Sequence, residues 1–159
     1  MKLLAKDDKS FTFLIGKRER EMMTGILRRY PMIIANHFKN RWAGQSVHPT
    51  DELIQEALAE QQRENRKQLE EMLAQPGRFA EDEMGFRFSI ADSEMEWLLQ
   101  MFNDVRVGCW IQLGEPDPNK GHMPPEQKIN EQTVQLAWTM EMAGLFVHEI
   151  LEAITPAES

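Results

Sequence analysis

The stretch from Trp97 to Gly114 constrains this chain more than any other segment. Wound at ~100° per residue, it places apolar side chains almost all the way round a helix. Measured from Trp97, the residues Gly108, Met101, Val105, Leu98, Cys109 and Phe102 fill an arc of about 140°. Trp110, Val107 and Ile111 occupy much of the remainder. A helix without a polar side either lies at the centre of a core or spans a membrane. The segment is shorter than the ~20 residues a span needs and is interrupted by Gln100, Asn103, Asp104 and Arg106. It is therefore expected to be the central helix of a core, and its polar residues carry the most constraint.

The 159 residues suit a single domain, 1–159, large enough to bury a core without cross-links. Apolar and charged fractions of 42% and 28% are those of an ordinary globular protein. The opening Met-Lys-Leu-Leu-Ala-Lys-Asp-Asp is too short and too acidic for a signal peptide. A single cysteine excludes an internal disulfide, and Cys109 reads as a small buried hydrophobe. A cytoplasmic location with no membrane contact is expected.

Charge is divided unevenly along the chain. Residues 1–49 hold ten Lys/Arg against four Asp/Glu, whereas residues 50–159 hold eight against twenty-two. The cluster Lys17, Arg18, Arg20, Arg28, Arg29, Lys39 and Arg41 is the only candidate basic footprint, with Arg18, Arg28, Arg29 and Lys39 as its expected partner patch, and a strongly acidic remainder argues against nucleic acid. The patch is expected to face an acidic surface, either the helix at 50–74 or a protein partner, which includes a second copy of the chain.

The coarse organisation follows from pattern. Residues 1–15 read as a hairpin, with Lys2–Ala5 and Phe11–Ile15 joined by a turn at Lys6–Lys9. A helix from about Lys17 keeps its apolar phase across Pro31 to Trp42, either kinked or as two abutting segments. Thr50 caps a helix running to Ala74, whose wholly polar centre, Glu60–Gln68, predicts that it touches the body only at its ends. Residues 78–89 read as irregular, with a short extended piece at Phe86-Arg-Phe, so 44–88 is the least constrained region. Asp92 is the expected cap of the central helix, Gly114 its stop, and a final helix runs from about Pro125 to Ile154. The expected fold is mainly α: a bundle of about four long helices around the central one, with a small N-terminal β-hairpin.

Motifs that would carry catalysis are absent: no phosphate-cradling glycine loop, nucleophile elbow or Cys-x-x-Cys occurs. His148-Glu-Ile-Leu-Glu152 holds half of a zincin motif. With Glu141 it offers one nitrogen ligand on a helical stripe, too few for a zinc site, so neither metal nor cofactor is expected. Most of the eleven methionines sit at core phases beside Leu and Ile and read as core filling. Asn103, Asp104 and Arg106 are the sharper case. Asn103 and Arg106 neighbour each other at i,i+3, while Asp104 points almost oppositely, so Asp104 and Arg106 are expected to find separate partners on other elements.

These same residues carry a resemblance. Trp97-Leu98, Asn103-Asp104-Val-Arg106 and Leu113-Gly114, with Trp138-Thr139 in the last helix, are similar to the motif of a bacterial domain-of-unknown-function family of small helical proteins. Residues 44–88 depart from that family, where only Met84-Gly-Phe-Arg87 echoes it. The family has no established activity, and its members are often encoded beside the adaptor of a Clp protease. The resemblance implies a role in the regulation of protein turnover. The expected function is a non-enzymatic interaction or regulatory protein. The alternative is a sensor or enzyme holding a small anion at Arg106 and Asn103.

Overall fold

The computed structural model describes residues 1–33, 49–117 and 129–156. Eight elements follow in the order β1 (Lys2–Lys6), β2 (Ser10–Ile15), α1 (Lys17–Leu27), α2 (Pro49–Ala74), β3 (Phe79–Asp82), β4 (Gly85–Ala91), α3 (Asp92–Gln112) and α4 (Glu131–Ile154).

The expected helical bundle is corrected by a four-stranded antiparallel sheet of order β1-β2-β4-β3. The N-terminal hairpin forms as read, but it is only half of the sheet. A second hairpin, β3–β4, occupies the stretch taken as irregular, and β4 pairs with β2 along its full length, Phe13 opposite Phe88 and Phe11 opposite Ile90. The period-2 pattern Phe86-Arg-Phe-Ser-Ile90 was its signal: Phe88 and Ile90 are buried while Arg87 is exposed. Glu83-Met84 forms the tight connection, and Gly85 (φ 140°) lies where a Cβ would stand 2.4 Å from the Ile15 carbonyl oxygen. Only glycine permits this approach.

The apolar face of the sheet, Phe11, Phe13, Ile15, Phe88 and Ile90, is covered by α1 and α3 in one continuous core. Arg20 on α1 lies over the rings of Phe86 and Phe79, 4.4 and 5.1 Å from their centroids. α4 packs along α3, with Phe146 stacked on Phe102 at 5.5 Å.

Strand β4 runs straight into α3. Ala91 is the cap residue and Asp92 the first helical one, one position earlier than expected, and the Glu94 carboxylate reaches back to the Ala91 N–H at 3.1 Å. The central helix also has a narrow outward edge that the wheel did not reveal, formed by Asn103, Arg106 and Trp110. It ends as expected at Gly114 (φ 85°), whose N–H bonds to Ile111 O. Helix α4 starts at Asn130, whose side chain accepts from the Thr133 N–H at 3.0 Å, and residues 125–128 of the expected start lie outside the described residues.

Helix α1 stops at Leu27, four residues before Pro31, because a proline lacks the N–H that would bond to Leu27 O and its ring crowds that carbonyl. Tyr30 N–H takes the Leu27 carbonyl instead, at 3.1 Å. The expected continuation to Trp42 lies outside the described residues beyond Ile33. Helix α2 is already formed at Pro49, so Thr50 stands inside its first turn.

Candidate functional site

Residues 28–33 leave α1 as a strap clasped from both sides. On the α3 side, the Asp104 carboxylate accepts the N–H groups of Met32 (2.9 Å) and Ile33 (3.5 Å). Burial pushes the Asp104 carboxyl above its ordinary range, and the two N–H groups offset only part of that rise. One turn on, Gly108 lets Met32 lie against the helix, and Cys109 Sγ stands 3.7 Å from Met32 Sδ.

The α2 side reverses the expectation for that helix. Its polar centre is what docks it. Gln62 donates to Ile33 O, Arg66 to Arg28 O (2.6 Å) and Tyr30 O, and Asn65 to the buried Tyr30 hydroxyl (3.0 Å). Trp97 Nε1 then donates to Asn65 Oδ1 at 3.2 Å, tying α2 to α3. Leu69 and Met72 bury at the C-terminal end, whereas Leu53, Ile54 and Leu58 at the other end are exposed.

Arg106 is exposed and donates to Asn103 Oδ1 on its own helix at 2.7 Å. Its aliphatic stem lies over α4, with Cδ 3.6 Å from where a Gly144 Cβ would be. Among the described residues Arg106 thus makes no charged clamp to another element, and an exposed guanidinium remains hydrated and requires none. Asp104 does face a different element, as the ~160° between the two residues requires.

The basic patch divides. Lys39 lies outside the described residues. Arg18, Arg28 and Arg29 are all exposed, and among the described residues no carboxylate stands within ion-pair distance of any of them. The acidic helix α2 meets this region through Arg66, not through its carboxylates. Arg18, Met22 and Gly25 share a stripe of α1 about 60° wide, Arg29 follows in the turn just beyond the helix, and α1 runs antiparallel to α4. Arg29 Nη1 donates to Thr139 Oγ1 at 3.0 Å, and Glu19 and Glu149 flank the Met1 ammonium at the opposite end.

A cleft in two parts runs along α4, the first part against α1 and the second against the strap and the end of α3. The first, about 380 Å³, is lined by Glu21, Met22, Gly25, Arg29, Trp138 and Thr139. The second, about 360 Å³, is lined by Arg29, Met32, Gln112, Gln132 and Gln135. Arg29 and Gln135 line both, so they stand at the waist. Beneath them the Cys109 thiol is pushed up by burial, with the Arg29 charge pulling the other way. Sequence reading placed Arg29 in a partner patch and noted Trp138-Thr139 only as part of the resemblance; it assigned no site role to Thr139, Gln135 or Trp138.

Elsewhere on α4, His148 Nε2 is 3.3 Å from Glu152 Oε1, both exposed. Among the described residues no three His, Cys, Asp or Glu side chains converge on one point that could hold a metal ion. No helix among them is long and apolar enough to cross a membrane.

No family model, curated protein or solved structure matches this chain. The motif residues that carried the resemblance have structural tasks: Trp97 ties α3 to Asn65, Leu98 and Leu113 fill the core, Asp104 holds the strap and Gly114 ends the helix.

Proposed function

We propose that this chain is a non-enzymatic protein-interaction module whose contact surface is the face shared by α1 and α4. One observation carries the reading. Val134, Trp138 and Leu145 lie within ~40° on the outer side of α4 and are 57%, 48% and 46% exposed. An exposed tryptophan on a stripe with exposed aliphatic side chains, and with the exposed Glu141 between Trp138 and Leu145, has the mixed composition of an interaction surface. Arg29 borders it, lining one cavity with Trp138, and supplies steering charge. Regulation of protein turnover, which the family resemblance implies, fits a module that binds and does no chemistry. The alternative anion site at Arg106 and Asn103 gains no support, since those two side chains are exposed and bonded to each other.

The test is site-specific photo-crosslinking in the native cell, with the reactive residue at Trp138, at Leu145 or, as control, at Thr12 on the outer face of the sheet. The same discrete adduct from Trp138 and Leu145 but not from Thr12 supports the reading. Equal labelling at all three positions, or none at the first two, overturns it.

A further inference from the structure

We propose that Arg29 anchors a carboxylate-binding site at the waist of the cleft along α4. This deepens the reading above by naming the chemistry that the face recognises. Arg29 is held in place by a neutral partner: Nη1 donates to Thr139 Oγ1 at 3.0 Å, and Thr139 is only 4% exposed. The Cys109 thiol is its other neighbour. Neither consumes the positive charge, and among the described residues no carboxylate pairs with it. A guanidinium has five N–H donors, so bonds to one hydroxyl and one thiol leave others to meet a carboxylate.

The surroundings suit that ligand. Gln132 and Gln135, one turn apart on α4, supply amide donors beside the guanidinium. Trp138 forms an apolar wall on the other side, and Gly25 leaves open space where any other residue would project a Cβ. Glu131 stands beside Gln132 and Gln135 but lines neither part of the cleft, and among the described residues Glu21 is the one carboxylate that does. It sits two turns before Arg29 and does not line the second part of the cleft. An incoming carboxylate therefore approaches from the glutamine side, with its apolar or planar remainder against Trp138. The carboxylate can belong to a small free acid or to an acidic segment of a protein.

The chain has four tryptophans, so the indole N–H resonances of the whole protein give a direct readout, with Trp138 assigned by Trp138→Phe. Succinate, a hexaglutamate peptide and inorganic phosphate are titrated separately at constant ionic strength. Saturable movement of the Trp138 resonance by succinate supports a small free acid as the source; movement by hexaglutamate alone supports a protein segment. In either case Arg29→Gln weakens binding by about tenfold or more, the loss expected for a charge-assisted pair. Gln135→Glu, at an exposed position that leaves the Thr139 bond intact, weakens it similarly by placing a carboxylate beside the guanidinium. No movement with either acid, movement that survives both substitutions, or phosphate matching the acids overturns the proposal. Succinate binding without a crosslinked partner would leave the site standing and sink only the interaction reading. A crosslinked partner that still binds Arg29→Gln would do the reverse.

Discussion

Met32 and Gly108 lie so close that a Cβ built on the glycine would stand 2.4 Å from the Met32 Cβ and 3.1 Å from its carbonyl carbon. The strap can cross α3 only because position 108 has no side chain. Gly108→Ala must therefore lift the strap or bend the helix, and the cost expected for such overpacking is about 1–3 kcal/mol. Gly25→Ala is the control, since nothing lies within 4 Å of its Cβ and alanine favours the helix by up to ~1 kcal/mol. Urea denaturation should show a lowered midpoint for the first and an equal or raised one for the second.

Asp104 separates charge from hydrogen bonding. Its folded pKa is raised, so the folded state holds the proton more tightly than the unfolded one. That contribution is fully present below the ordinary value of 3.8 and is lost as pH rises through the raised value. At neutral pH the charge costs stability, while the bonds to Met32 and Ile33 retain theirs. Asp104→Asn should match or exceed the parent protein at pH 7, and Asp104→Ala should lose about 1–3 kcal/mol by stranding the Met32 N–H. Equal losses in the two variants would show that the charge itself holds the strap.

Arg78 ties the end of α2 to β4 and α3, donating to Ser89 O and to both oxygens of Glu94 at 2.8 and 3.0 Å. Burial works to raise the Glu94 carboxyl, but the bonds from Arg78 and the Ala91 N–H outweigh it and the net shift is downward. The stabilisation is therefore present above the ordinary 4.5 and disappears as pH falls through the lowered value. Arg78 is 9% exposed and Glu94 27%, between the surface and buried limits, so Arg78→Met should cost about 3 kcal/mol at pH 7. The deficit should shrink toward pH 3 in denaturation experiments, and one that is constant with pH would exclude the ion pair as its source.

Arg106→Ala should change stability by no more than ~0.5–1 kcal/mol, as expected for an exposed side chain contributing one bond within its own helix and its stem's cover of Gly144. A loss of several kcal/mol in thermal unfolding would mean that the guanidinium has a buried partner.

Local chemistry made much of the backbone legible. The alternation of Phe11, Phe13 and Ile15 marked β2, Gly114 marked the end of α3, and the apolar arc from Leu98 to Cys109 marked the buried side of the central helix. The second hairpin was harder to read because Glu81-Asp-Glu83 interrupts it with charge, and its apolar alternation is only three residues deep. The candidate site was only partly visible. Arg29 stood out through charge, but Thr139 and Gln135 are 110 and 106 positions away in the chain, and nothing local links them.

What the amino-acid order determined by itself is the N-terminal hairpin, the helices and the buried side of the central one, because periodicity and capping act within a few residues; the second hairpin and the sheet it completes were not among them. The docking of α2 was decided in three dimensions. Gln62, Asn65 and Arg66 read as a solvated face, since a polar side chain shows its partner only when a distant carbonyl or hydroxyl is brought to it. Tertiary structure supplied the carbonyls of Arg28, Tyr30 and Ile33 and the Tyr30 hydroxyl, and the same strap placed Arg29 against Thr139. Hydrophobic burial follows from pattern, whereas hydrogen-bond pairing depends on which groups meet, and that is settled only when the chain has folded.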